Sequence, residues 1–508
     1  MSRLVIGAMV RTLGAHPSGW RLPGAHRDPR RDAIALRRIA ALAEAARLDY
    51  LFFGDWLSTG PELEHRDPYL LARVDPFSAA TYLAAITSHI GLITSAHTSY
   101  DDPYRVARAT ASLDLLSAGR AGLNLVTGRD PAADRNHGRT GDAPDRHGRA
   151  DEFETVLRRL WDSFDDDAIV ADASAGVLLD PDKLHPADFH GDHFDVAGPL
   201  NVVRPIQGHL PIVHAGTSPR ARLFAARRAD LALVAVPGLA RAVELREELR
   251  ALAFESGRDD RALRVIAPVM PIIGETREHA RAIADRLTTS VTVAEDWPDA
   301  PPRGFPPERS LTHLAVLVGV GLEGFGPEHP VSPGLLAAFS PFGQELAALV
   351  AERTGRFVGG GRPPTLRHFV VTATVHASMI VGTAADVAEE FAAWGDAGAV
   401  DGFNVLSATQ LDQFEAFVTG VVPELQRLGV FPREYEGRTL RDHLGLERPA
   451  NVHTAARVLV EEHADRRRRE TLSPPRYDVE PCALAPSRPS PSPSPQPPHS
   501  PSPSPAAP

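Results

Sequence analysis

The sequence predicts an α/β protein assembled from consecutive strand–helix units around a parallel sheet. About eight strand–helix alternations follow one another over roughly 430 residues, the pattern of layered α/β architectures. The stretch Ile90–Gly138 shows one unit in full. An apolar run, Ile90–Ala96, leads to a helical segment with Val106, Ala107, Leu113 and Leu116 on one face. Gly119 ends it, and a second apolar run, Ala121–Val126, enters a polar loop. This is a βαβ unit, with parallel strands and a right-handed crossover. Polar residues gather where the strands end: Ser95, Thr98 and Ser99 on one, Asn124 and Thr127 on the other. In a parallel barrel that end binds ligands. Alternation alone fits a (β/α)8 barrel and a doubly wound sheet equally.

In chain order, Leu4–Val10 reads as a buried first strand, followed by HPSGWRLPG, a loop dense in His, Trp and Arg. A helix over Asp32–Arg47 precedes a strand over Tyr50–Gly54 that ends at Asp55. Asp75 as N-cap with Pro76 at the first helical position starts a helix to His89. Beyond the Ile90–Gly138 unit comes a helix over Arg149–Ser163. Asp180–Val203, rich in Pro, Gly, Asp and His, interrupts the alternation and reads as a loop or hairpin insertion. Strands over Leu210–Ala215, Asp230–Val236 and Arg264–Ile273 then alternate with helices over Pro219–Arg228, Leu239–Glu255 and Arg277–Leu287. Glu295–Pro364 holds many Pro and Gly residues and is expected to be irregular. A helix over Asp386–Gly395, a strand over Val400–Leu406 and a helix over Leu411–Leu428 close the pattern. Residues 1–450 are expected to form the barrel-sized domain, 451–470 a charged helical extension, and 471–508 a disordered tail. The Ser/Pro alternation of the last residues cannot build a core.

Composition narrows the function. With 508 residues and 43% hydrophobic content the chain has ample core material. A formal charge of -11 disfavours nucleic acid and anionic membrane surfaces as partners. One cysteine, Cys482, leaves no disulfide framework and no multi-cysteine metal site. The apolar stretch near the N-terminus is too short for a signal sequence, and no uncharged run is long enough to span a bilayer. A soluble cytoplasmic protein is expected.

Three motifs invite chemistry. GVGLEG, Gly319–Gly324, satisfies G-x-G-x-x-G, but Pro327, Pro330 and Pro333 deny the helix that would face a pyrophosphate. HPADFHGDH, His185–His193, has metal-capable residues on a backbone broken by Pro186 and Gly191, and no metal is expected there. HAGTSPRAR, His214–Arg222, places Gly216 after a strand, Ser218 as N-cap and Pro219 at the first helical position. Its free N–H groups and hydroxyl suit a phosphate, although an ordinary βα loop has the same pattern.

Several segments carry a family resemblance: T-S-Y-x-x-P-Y-x-x-A-R from Thr98, L-D-x-L-S-x-G-R-A from Leu113, N-x-V-T from Asn124, and R-N-x-G from Arg135. QGHLPIVHAG and the closing VVPELQRLGVFPREYEGRTLRDHLGL add to them. Over about residues 4–450 the chain resembles the nitrilotriacetate and dibenzothiophene-sulfone monooxygenase branch of the bacterial-luciferase-like flavin enzymes. The resemblance implies a (β/α)8 TIM barrel with insertions, and FMN, used as FMNH2, as cofactor. It implies a two-component monooxygenase that takes reduced flavin from a separate NAD(P)H:flavin reductase and inserts one atom of O2 into a small organic substrate. A homo-oligomer is expected.

The same resemblance assigns residues. Asp55, Ser95 and Asn124 would lie near the flavin ring and ribityl chain; His147, Gly216, Thr217 and Ser218 would hold the phosphate. His16, Trp20, Arg21 and His97 are substrate-side candidates. Arg21 beside Trp20 suits a carboxylate or sulfur oxide, or a stacked structural pair. The chain departs from the family pattern in having Ala143 and His147 where a His and a Tyr are usual, Ala221 for Gly, Ser95 for Thr and His97 for Ser. A deazaflavin-dependent dehydrogenase and a non-catalytic flavin binder are the alternatives.

Overall fold

The computed structural model describes residues 3–60, 62–69, 71–139, 145–235, 238–297, 299–375 and 378–457. The chain divides into residues 1–455 and 456–508. The extension beyond 457, the Ser/Pro segment and Ala143 lie outside the described residues. Eight parallel strands of the first unit close into a barrel: β1 (Val5–Met9), β2 (Tyr50–Phe52), β3 (Gly91–His97), β4 (Ala121–Val126), β5 (Ile212–Ala215), β6 (Leu231–Leu233), β7 (Arg264–Ile273) and β8 (Gly402–Leu406). Each pairs with its neighbour in chain order, and β1 returns to β8 with Val5 opposite Gly402. Closure excludes the doubly wound sheet. β7 is long enough to serve twice. Its first half joins β6 and β8, and Val269–Ile273 pairs with an added strand, Ser378–Gly382.

The period-two alternation of the strands separates two cores. Ile6, Ala8, Leu51, Leu92, Leu123, Leu125, Ala267, Phe403 and Val405 face outward and pack with the helices. Val5, Tyr50, Phe52, Ile93, Val213, Leu231 and Ile266 face inward at the other end from the ligand loops. There they meet Leu440 and Leu444 of a short helix, Leu440–Leu444, which plugs the barrel floor. Gly91 and Gly122 make room for the plug: a Cβ on either would stand 2.4 or 2.9 Å from a Leu440 methyl. The interior is therefore apolar below and polar above, where Ser95, His97, Asn124 and Asn404 are buried.

Most elements match the sequence reading, with Pro219–Arg228, Leu239–Glu255 and Arg264–Ile273 coinciding at both ends. The region 295–364 does not. It contains helices Leu311–Val318, Pro333–Ala337 and Pro341–Thr354, and a further helix, Leu366–Thr374, follows. Pro333 and Pro341 are not breakers here. Each sits at a helix start behind a serine cap, Ser332 or Ser340, where the missing N–H costs nothing. These helices bury their own cluster around Leu314, Val318, Val350, Leu366 and Phe369. The GVGLEG motif follows a helix, with Gly319 as its left-handed C-cap at φ 70°. The loop or hairpin insertion expected in 180–203 contains a hairpin between Phe189–His190 and Asp195–Val196, and a second, Ile169–Asp172 with Val177–Leu179, precedes it. The last long helix is interrupted by a π-turn over Phe417–Val421, just before Pro423, which lacks the N–H that regular helix pairing needs.

Candidate active site

The polar upper end of the barrel is built by four consecutive strand ends. Ser95 and Asn124 stand opposite each other on β3 and β4. Asn124 Nδ2 donates to Ser95 Oγ at 3.0 Å, and Ser95 Oγ donates to the Phe53 carbonyl at 2.8 Å. That chain fixes the amide so that Asn124 Oδ1 is buried with no partner among the described residues. Two residues up β3, His97 Nε2 lies 3.3 Å from Asp55 Oδ2 at the end of β2, without hydrogen-bond alignment. The main chain of His97 is anchored separately, its N–H donating to Asp101 Oδ2 at 2.6 Å.

A second cluster forms at β5. Gly216 presses on the first turn of helix Pro219–Arg228, where a Cβ would stand 2.7 Å from that of Ala221. Ser218 Oγ accepts the Ala221 N–H at 3.2 Å, which leaves its own hydroxyl hydrogen to donate. His214 Nδ1 pairs with the Leu125 carbonyl at 2.9 Å. A carbonyl only accepts, so the neutral ring carries its proton on Nδ1 and offers Nε2 as a buried acceptor, unpartnered among the described residues. Burial lowers the His214 pKa, and His147 lowers it further. His147, in the first turn of helix Arg146–Trp161, has a buried, unpartnered Nδ1. Its pKa is lowered by burial and by Arg146 and Arg220.

The structure thus brings Asp55 to His97, Ser95 to Asn124, and His147 to the strand end that carries Gly216, Thr217 and Ser218. Trp20 and Arg21 have a separate set of partners. Trp20 Nε1 donates to the Arg66 carbonyl at 3.0 Å, and Arg21 reaches the carbonyls of Arg66 and Ser290 and the carboxylate of Asp67 at 2.8 Å. His16 is 1% exposed. Burial, then the Arg309 and Arg353 guanidiniums, hold its pKa down to about 3, so it is neutral throughout the physiological range. Two residues were missed by the sequence reading. His214 sits inside the motif that was singled out. Asn404, on β8, is fully buried with neither amide atom partnered among the described residues, and nothing in its local sequence marks it.

These groups fit a flavin mononucleotide. The N-terminus of a ten-residue helix, a hydroxyl donor and an imidazole suit a phosphate. Orphaned acceptors and an amide at the polar end of the barrel suit the hydroxyls of a sugar alcohol and the edge of a heterocycle. Among the described residues no group of three or more His, Cys, Asp or Glu side chains is placed to hold a metal, and no helix is long and apolar enough to cross a membrane.

A closed parallel barrel carries its ligand site at the C-terminal ends of its strands, and the helix start after β5 lies at that end. The family model described as luciferase-like monooxygenase matches residues 13–401, and the chain belongs to that family of flavin-dependent monooxygenases. It is 36% identical over 459 residues to nitrilotriacetate monooxygenase component A of Aminobacter aminovorans, covering 88% of this chain and 97% of that protein. It is 33% identical over 453 residues to dibenzothiophene-sulfone monooxygenase of Rhodococcus erythropolis, covering 84% and 93%. The solved structure of EDTA monooxygenase from Chelativorans sp. BNC1 superposes with a TM-score of 0.69 at 28% identity, covering 88% and 99%.

Proposed function

We propose that this enzyme is the oxygenase component of a two-component system. It would use FMNH2 delivered by a separate NAD(P)H:flavin reductase to insert one atom of O2 into a small organic substrate. The observation that supports this reading is the set of buried polar atoms, unpartnered among the described residues, at one end of the barrel near the helix start behind 216–218. The relative named component A points the same way. When bound, reduced flavin supplies the electrons that activate O2. The chain does the rest. Ser218, His147 and the N–H groups of Thr217 and Ser218 would hold the phosphate, and the Ser95–Asn124 pair would orient the ring system. The apolar floor below them limits water. His97 Nε2 and the Asp55 carboxylate, 3.3 Å apart, would face the substrate side of the ring.

Oxygen consumption decides it. With added reductase, NADH and FMN, a substrate screen should find oxygen uptake above the uncoupled flavin background, while the chain alone oxidises NADH negligibly. NADH oxidation without the reductase would sink the two-component reading. Hydride transfer to a deazaflavin with no oxygen uptake would replace it with a dehydrogenase.

A further inference from the structure

Asn404 has no part in the proposed mechanism, yet it is fully buried and neither atom of its amide has a partner among the described residues. Its neighbours Phe403 and Val405 pack in the outer core, so Asn404 points into the barrel. In a barrel of this kind the level rises by one residue per strand, and each interior layer draws its side chains from alternate strands. The register, followed around the closed sheet, then sets Asn404 of β8 level with Phe52 of β2, Asn124 of β4 and Leu233 of β6. The two asparagines stand on opposite strands of one layer, and each keeps an amide oxygen without a partner among the described residues.

This layer is the floor of an open chamber. Pro268, which pairs with Asn404 on β7, is partly exposed, as are Met9 and Leu406, and Ala215 on the opposite wall is exposed outright. The ring of Tyr50 lies against Gly7, the residue paired with Asn404 on β1, where a Cβ would collide with it. The Tyr50 hydroxyl has no partner among the described residues either, so it does not satisfy the amide. An amide left with both a donor and an acceptor calls for a ligand edge that carries both.

The parts of a flavin mononucleotide differ in what they offer such an amide. The phosphate oxygens accept, and the proposed function gives them the turn after β5. The dimethylbenzene edge has neither donor nor acceptor. A ribityl hydroxyl satisfies one amide atom at a time. The pyrimidine edge carries N3–H between two carbonyls and complements an amide in two adjacent hydrogen bonds. We infer that Asn404 is a cofactor-specificity residue that holds the pyrimidine edge of the flavin. Its Oδ1 would accept N3–H, and its Nδ2 would donate to a flanking carbonyl. This rests on the flavin reading of the site. Asn124 Oδ1, on the strand that adjoins β5, would then face the ribityl side of the ring.

The test is a binding measurement. Full-length protein is titrated anaerobically in a calorimeter with reduced FMN and with reduced 3-methyl-FMN, in which a methyl group replaces the N3 proton. The unaltered protein should bind the methylated flavin about tenfold or more weakly, since a site built for a hydrogen bond rejects an analogue that lacks it. Asn404→Leu, of similar volume, should weaken FMN by a like factor and leave 3-methyl-FMN little changed, so that the preference disappears. Asn404→Ala should behave alike, and thermal melting of each variant shows that it folds. A preference for FMN that survives both substitutions would overturn the assignment. Equal losses for the two flavins would overturn it too, because a ribityl contact or a general role in the fold does not distinguish them. Equal binding of both flavins by the unaltered protein would place N3 elsewhere and leave the flavin reading intact. A chain that binds neither would defeat the flavin reading itself, and this inference with it.

Discussion

At the scale of single residues, Ser218 has two roles that a simple alanine substitution confounds. Its Oγ caps helix Pro219–Arg228 by accepting the Ala221 N–H, and its hydroxyl hydrogen is available to a phosphate. Loss of the cap costs about 1 kcal/mol of stability, whereas loss of a hydrogen bond to a charged group costs about 1.5–3 kcal/mol of binding. Ser218→Ala should therefore weaken FMN binding about ten- to a hundredfold and leave riboflavin, which lacks the phosphate, nearly unaffected. Ser218→Thr, which retains cap and hydroxyl, should keep most of the FMN affinity. Equal losses for both flavins would move the phosphate away from this turn. His147 adds a pH signature. Its pKa is lowered by burial and two arginines, so the ring is mostly neutral at pH 7, and a bound phosphate raises its pKa again. The proton-linked part of FMN affinity is then full below the free-protein pKa and disappears as pH rises through the value in the complex. The onset lies at lower pH than an ordinary imidazole would give. His147→Gln should flatten the affinity profile measured across that range, and an unchanged profile would remove His147 from the site.

At the scale of elements, the helices inserted between β7 and β8 are tied to the barrel through Asp285 on helix Arg277–Thr289. His368 Nε2 lies 3.0 Å from its carboxylate, and Arg356 pairs with it bidentately. Burial opposes ionisation of Asp285, but the His368 hydrogen bond and the Arg356 guanidinium outweigh it and hold the pKa down to about 2. A depressed carboxylate stabilises the fold above its unfolded pKa, and that contribution is lost as pH falls from about 4 toward 2. Asp285→Asn should thus cost roughly 1–2 kcal/mol at pH 7 and much less near pH 2, where most of the contribution is lost. Urea unfolding at the two pH values checks this, and a loss that persists at low pH would mean that packing rather than charge is at stake. This insertion is also where the sequence was least legible. Apolar periodicity and capping signals located the barrel elements because the two agreed, as at Asp75–Pro76 and Ser218–Pro219. In 295–364 the Ser–Pro starts at 332–333 and 340–341 were masked by the density of Pro and Gly around them. The Ser95, Asn124 and 216–218 positions could be placed because each ends a strand. Asn404 could not, because nothing in the residues around it distinguishes an inward-facing polar side chain from an ordinary strand position.

At the scale of the whole molecule, polarity and closure occupy opposite ends of the barrel. The upper end is polar and, among the described residues, incompletely satisfied. The floor is apolar and sealed by Leu440 and Leu444. Leu440→Ala should cost about 2–5 kcal/mol as a cavity-forming substitution, seen as a lower urea midpoint, while FMN affinity in the native range stays the same. A fall in FMN affinity without loss of stability would show that the two ends are coupled. The arrangement also bears on how the chain reaches its native state during synthesis. Val5 pairs with Gly402, and the plug that covers the Gly91 and Gly122 strands comes later still. At about 5–20 residues per second, a ribosome needs on the order of 20–80 seconds to make the nearly 400 residues between the first strand and its partner. For that time β1 has one open edge and the strand faces of the floor are uncovered. Faster elongation shortens that exposure, and a chaperone that shields the open edge covers it.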